Sequence, residues 1–156
     1  MSMEFNAQHS PVGAFASFTL GHPGKKGGLG LEIGGPADEN VFIGMEGRRA
    51  GVYEALPFFE GSEDESKRYD VAAVGGESGA EPVAFPKKKV TRTFGACVDE
   101  WVAGDLRVRV YSPVKSVPEP GRAGRAAMME ALVPAVFVEI EADNSAGRKA
   151  RRVFFG

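Results

Sequence analysis

The sequence predicts an all-β protein, an antiparallel β-sandwich, and three observations carry that expectation. Apolar residues recur with period two through most of the chain, the spacing that sends successive side chains to opposite faces of a strand. Glycine supplies 21 of the 156 residues, about twice its usual share. These glycines and the 10 prolines cluster between the alternating segments, where tight turns belong. Only Arg125 to Leu132 has the spacing of a helix, a short one that Pro134 ends. One core is routine at this length and two domains would be cramped.

Taken in order, Ala14, Ala16, Phe18 and Leu20 share one face of a first strand, with Phe15, Ser17 and Thr19 on the other. Leu29, Leu31 and Ile33 alternate with Gly30 and Glu32. Val41, Ile43 and Met45 alternate with Phe42 and Gly44, and the polar turn Glu46 to Gly51 returns the chain into Val52 to Phe59, so 41 to 59 reads as a hairpin. Residues 60 to 70 form a charged loop and 75 to 88 a Gly/Pro-rich one, neither expected to pack. Thr91 to Trp101 and Leu106 to Tyr111 flank the turn Ala103-Gly104-Asp105, a second hairpin. Residues 112 to 124 carry too much proline and glycine for regular structure. After the helix, Val136, Val138 and Ile140 point inward and Phe137, Glu139 and Glu141 outward; a turn at Asp143 to Ser145 leads to a last strand, Ala150 to Phe155. Nine or so short strands result, with no internal repeat. Arg107 and Arg109 are expected to face Glu139 and Glu141 across neighbouring strands, because both pairs occupy outward positions.

The charge balance excludes whole classes of partner. Lys and Arg number 19 against 21 Asp and Glu, a net charge of -2, so nothing draws the chain to nucleic acid or to a membrane surface. Phe5 to Gly24 carries no formal charge, yet its Asn, Gln, His, Ser, Thr and Pro residues break any span. Ala14-Phe15-Ala16 imitates a signal cleavage site, but no basic or apolar segment precedes it. Cys97 is the one cysteine, which excludes an intrachain disulfide and fits a reducing, cytoplasmic compartment. With two histidines in support, a metal site is not expected, nor any cofactor.

Four motifs bear on chemistry. Gly28 to Gly34 imitates a dinucleotide fingerprint, but its third glycine comes late and Gly35-Pro36 stands where a helix should begin, so these read as strand glycines. Lys87, Lys88 and Lys89 read as a solvated loop. His9-Ser10 pairs a base with a hydroxyl, but adjacent residues in an extended chain point to opposite faces, and a hydrogen-bonded structural histidine is the plainer reading. Asp99, Glu100 and Asp105 bracket Trp101, the grouping that binds a sugar by stacking and carboxylate hydrogen bonds; the competing reading is a core tryptophan between turn acids.

Beyond these residues a resemblance takes over. Phe5 to Gly21, Gly27 to Gly34 and Asn40 to Gly44, then Leu56 to Phe59, Arg68 to Asp70, Asp99 to Leu106, Tyr111 to Pro113, Val133 to Ala135 and Asp143-Asn144 fall in the order of the N-terminal domain of glycoside hydrolase family 52, the β-xylosidases. Nearly the whole chain resembles that domain. Glu100 and the Glu141-Ala142 pair depart from the family's pattern in surface-compatible ways.

The resemblance implies a β-sandwich that packs on a C-terminal (α/α)6 barrel, in an enzyme that removes terminal β-1,4-linked xylose from xylo-oligosaccharides during xylan degradation. It implies retention, which needs a carboxylate nucleophile and a general acid/base. In the family both lie in the barrel, beyond position 156, so no catalytic residue is assigned in this chain. The apolar strand at Arg151 to Gly156 ends with no cap or polar tail, and the chain is expected to be a truncated fragment, residues 1–156 of a single sandwich domain, silent alone. A stand-alone carbohydrate-binding module and a purely structural module are the alternatives, and a homo-oligomer is left open. His9, Asp99 and Trp101 are the candidates for contact with substrate or with the barrel.

Overall fold

The structure is a computed structural model and describes residues 7–10, 16–21, 25–31, 37–60, 82–112, 116–133 and 135–156. Several expectations lie outside these residues: Ala14 and Phe15 of the first strand, Glu32 and Ile33, Gly34 to Pro36, Pro134 after the helix, and residues 61 to 81 of the two loops.

The described residues are dominated by strands, with one short helix. β1 (Ala7–His9), β2 (Ala16–Leu20) and β3 (Gly28–Leu31) form an antiparallel sheet in chain order. β4 (Ile43–Glu46) and β5 (Tyr53–Ala55) make the expected hairpin. β6 (Val83–Ala84) extends it on one side and β11 (Val153–Phe155) on the other, in the order β11-β4-β5-β6. The third sheet, β10-β9-β8-β7, is an antiparallel meander of β7 (Val90–Phe94), β8 (Val98–Ala103), β9 (Leu106–Tyr111) and β10 (Phe137–Ala142). α1 (Arg125–Ala131) sits in the connection between β9 and β10, where the spacing places it.

Two expectations need correction. Thr91 to Trp101 is two strands, because the chain reverses at Gly95 to Cys97, where the Gly95 N–H donates to the Val98 carbonyl at 2.7 Å. The second loop does pack. Val83 and Ala84 pair with β5 in parallel, and Phe85 is buried beside them, its N–H donating to the Ala55 carbonyl. The long connection from β5 makes that parallel return feasible, since a parallel pair needs a crossover and a tight hairpin cannot supply one.

All three sheets feed one core. Leu20 comes from the first, Ile43 and Met45 from the second, Trp101, Val108 and Val110 from the third, each no more than 1% exposed. Each such side chain contributes roughly 1.5–3 kcal/mol of burial energy. Alternation is cleanest in β8 and β9, where every second residue is buried. Gly104 closes their turn at φ +60°, a conformation that resists any Cβ. Gly44 serves a different need: a Cβ there would lie 2.2 Å from the Glu54 carbonyl oxygen and 2.5 Å from the Phe154 ring, so the close approach of three strands depends on its absence.

The outward face of the meander carries the expected ion pairs. Register places Glu139 opposite Arg109 and Glu141 opposite Arg107, with N–O distances of 3.0 and 3.3 Å. Arg109 also donates to Glu100 of β8 at 2.7 Å, so the pairs join into a ladder across three strands. Exposed pairs of this kind contribute little to stability.

Candidate functional site

β8 alternates so that Asp99, Trp101 and Ala103 face the core while Glu100 and Val102 face out. A buried aspartate requires compensation, and it comes from both neighbours. Arg92 of β7 stands directly opposite Trp101. It reaches back to Asp99 with two hydrogen bonds, Nε to Oδ1 at 2.7 Å and Nη2 to Oδ2 at 2.8 Å, the bidentate fork that suits a carboxylate best. From β1, buried His9 brings Nε2 to 3.4 Å from Asp99 Oδ2, an ion-pair distance rather than a short hydrogen bond. Its Nδ1 lies 2.8 Å from the Ser112 hydroxyl, just past β9.

The protonation pattern follows from the donors. Burial pushes the Asp99 carboxyl up, but the His9 contact, the Arg92 hydrogen bonds and the Arg92 charge outweigh it and hold the group below its usual range. An ionised carboxylate only accepts, so the His9 Nε2 that faces Asp99 is placed as a donor, and the Ser112 hydroxyl pairs with Nδ1. Trp101 is wholly buried. Its ring meets Phe58 edge to face, with centroids 4.8 Å apart, and the Arg92 guanidinium lies 4.5 Å from it. The cluster therefore ties β1 of the first sheet to β7, β8 and the end of β9 in the third.

His9, Asp99 and Trp101, singled out separately in the sequence, thus meet in one cluster. Of the acids that bracket Trp101, only Asp99 joins it: Glu100 points to the outer ladder, and Asp105 lies at the far turn. Arg92 and Ser112 are the members sequence reasoning missed. Reading 91 to 101 as one strand hid the pairing of Arg92 with Trp101, which the turn at Gly95 would have revealed. The order Ser112–His9–Asp99 imitates an acyl-transfer relay, yet Asp99 is already committed to Arg92 and His9 is only 4% exposed, which leaves a substrate no approach to the base.

A second cluster gathers at the β8–β9 turn. Asp105 accepts from Arg48 at 3.2 and 3.1 Å and from Arg151 at 2.7 Å; these hydrogen bonds, ahead of the desolvation that opposes them, hold its carboxyl low. Two clefts meet there, of about 270 and 350 Å³. Both are lined by Arg48, Asp105 and Arg151, and neither by His9, Asp99 or Trp101. Among the described residues no group of His, Cys, Asp and Glu is placed to hold a metal ion, and no helix is long and apolar enough to cross a membrane.

Comparison with known proteins adds what this geometry leaves open. The sequence model of glycosyl hydrolase family 52 matches residues 18–156. A β-xylosidase of Geobacillus stearothermophilus is 51% identical over 156 residues, covering 97% of this chain and 22% of the relative. A second β-xylosidase from the same organism is 40% identical over 162 residues, covering 97% of this chain and 26% of the relative. The chain spans about a quarter of the length of these curated relatives.

Proposed function

The chain belongs to glycosyl hydrolase family 52, and on that premise we propose that it is the N-terminal β-sandwich portion of a retaining β-xylosidase, an enzyme that removes terminal β-1,4-linked xylose from xylo-oligosaccharides. The observation that carries this reading is the near-complete match of the chain to a quarter of each of two β-xylosidases. The chemistry belongs to an (α/α)6 barrel outside the 156 residues, and the enzyme works in the cytoplasm, needing no cofactor.

The state of the carboxyl groups supports silence of the chain by itself. Retaining hydrolysis needs two carboxyls about 5–5.5 Å apart, one of them kept protonated until it donates to the leaving group. Among the described residues, every carboxyl displaced from its ordinary range is displaced downward: Asp99, Asp105, Glu139 and Asp143. Asp99 is held ionised by His9 and Arg92, Asp105 by Arg48 and Arg151, Glu139 by the Tyr111 hydroxyl and Arg109 and Asp143 by the Ser145 hydroxyl and N–H. That is the opposite of a general acid. A role as a free-standing sugar-binding module draws no support from Trp101, whose ring has no exposed face to offer a sugar. His9, Asp99 and Trp101 are instead assigned to positioning: they stiffen the side of the sandwich that carries the barrel.

The test uses an aryl β-xyloside. The purified 156-residue chain is expected to show no turnover above buffer, and a chimera in which it replaces the matched quarter of the 51% identical β-xylosidase is expected to hydrolyse the same substrate. Turnover by the chain alone, abolished by a single Asp or Glu substitution, would overturn the assignment. In the active chimera, His9→Ala is expected to lower kcat/KM or loosen domain docking by more than it lowers Tm. A loss confined to Tm would return His9 to a purely internal role.

A further inference from the structure

We propose that the cleft between the β4–β5 turn and the loop joining β10 to β11 is a binding site for a small oxyanion carried on a hydroxylated molecule, the shared chemistry of sugar acids and sugar phosphates. The inference is independent of the glycosidase reading. The walls come from the β4–β5 turn, from residues just after β10 and from Asp105 between them, around about 350 Å³. That volume falls in the range of small-molecule sites and suits one sugar unit. Gly156 bonds to Phe42 at the opposite end of β4, so the last residue of the chain forms no part of it.

The loop on one side of the cleft is held in a set shape. The Asp143 N–H donates to the Asp105 carbonyl at 2.8 Å, and the Gly147 N–H to the Asn144 carbonyl at 3.0 Å. Asn144 Nδ2 donates to the Lys149 carbonyl at 2.8 Å. At the far end Arg151, its side chain only 10% exposed, donates from Nε to the Glu46 carbonyl and from Nη1 to Asp105, both at 2.7 Å. A guanidinium carries five N–H donors, so these bonds fix Arg151 in place and leave it others to offer.

Every carboxylate on the lining is already engaged. Asp105 takes Arg48 and Arg151, Asp143 accepts from the Ser145 N–H at 2.8 Å, and Glu46 Oε2 lies 3.4 Å from the Arg152 backbone nitrogen. The cations outnumber them, Arg48, Arg148, Lys149 and Arg151 against these three, and among the described residues Arg148 and Lys149 have no carboxylate partner. Two uncommitted cations beside a fixed guanidinium offer an oxyanion charge-assisted hydrogen bonds. Among the lining residues no side chain is aromatic, nor aliphatic beyond alanine, so an apolar ligand gains nothing there. The remaining lone pairs of Glu46, Asp105 and Asp143 can accept from hydroxyls.

Isothermal titration calorimetry of the 156-residue chain at low ionic strength, with glucuronate, glucose 6-phosphate and xylose as probes, is expected to show saturable binding of at least one anion and none of xylose. The anion preferred identifies carboxylate or phosphate as the source of the charge. Binding is expected to weaken as salt rises, since exposed cations are screened. Arg148→Gln with Lys149→Gln, whose side chains take no part in the bonds that hold the loop, is expected to weaken it at least about tenfold, while Arg125→Gln on α1 leaves it unchanged. No saturation by either anion, xylose bound as well as the anions, or an affinity indifferent to the double variant overturns the proposal. So does binding by the chain that is lost in the folded chimera with the 51% identical β-xylosidase, the cleft then being filled by the rest of that enzyme.

Discussion

Asp99→Ala is expected to destabilise the chain by about 3–5 kcal/mol, the cost of leaving a partner of a buried ion pair uncompensated, and to lower Tm by on the order of 10 °C. Asp99 is wholly buried and Arg92 only 13% exposed, so water cannot take the place of the lost carboxylate. His9 loses its charged neighbour as well. Replacing both sides together, Asp99→Leu with Arg92→Met, is expected to recover much of the loss, because two apolar side chains leave no orphaned charge. The same carboxylate makes stability depend on pH. Its folded pKa lies below that of an unfolded aspartate, about 3.9, so its contribution is complete above that value and disappears as pH falls through the folded one. Wild type is therefore expected to lose more stability than Asp99→Asn on acidification below about pH 4. Thermal melts across that range check this. An alanine variant that melts within a degree or two of wild type would remove the ion pair from the account.

Trp101→Ala is expected to cost about 3–5 kcal/mol, the range for truncating a large buried aromatic to alanine. The ring is wholly buried against Phe58 and beneath the Arg92 guanidinium, so its removal leaves a cavity and strips Arg92 of its packing surface. Trp101→Phe keeps an aromatic face and is expected to lose markedly less. Urea unfolding should show a lower midpoint with an unchanged slope, the mark of lost native-state packing. Far-UV circular dichroism is the probe of choice, since Trp101 is the one tryptophan. A midpoint shift equivalent to under about 1 kcal/mol would show that the ring is replaceable and that burial alone overstates its part.

Both effects depend on β8, whose partner strand β9 was plain in the sequence. Leu106 to Tyr111 read correctly because it has one face in the core and one in water, and period two records that division directly, whereas 91 to 101 read as one strand although the chain reverses at Gly95 to Cys97. The outward pairing of Arg107 and Arg109 with Glu141 and Glu139 was legible for the same reason, once β9 and β10 were taken as neighbours. Phe85 was misread because a run of three apolar residues, Val83 to Phe85, in a Gly/Pro-rich segment is too short to show a period, and only the parallel docking of β6 on β5 shows what it fills.

Sequence by itself determined the all-β class, the two hairpins, the position of the short helix and the family. These rest on local alternation, turn chemistry and the order of motifs, all of which are written along the chain. Tertiary structure decided that His9 and Asp99, 90 positions apart, meet beside Trp101, that Arg92 secures them, and that Asp105 draws Arg48 and Arg151 to one turn. Such contacts depend on how separate sheets stack and which strands lie outermost. Neither is encoded in the spacing of any one segment, because a strand's pattern specifies which face is buried and not what buries it.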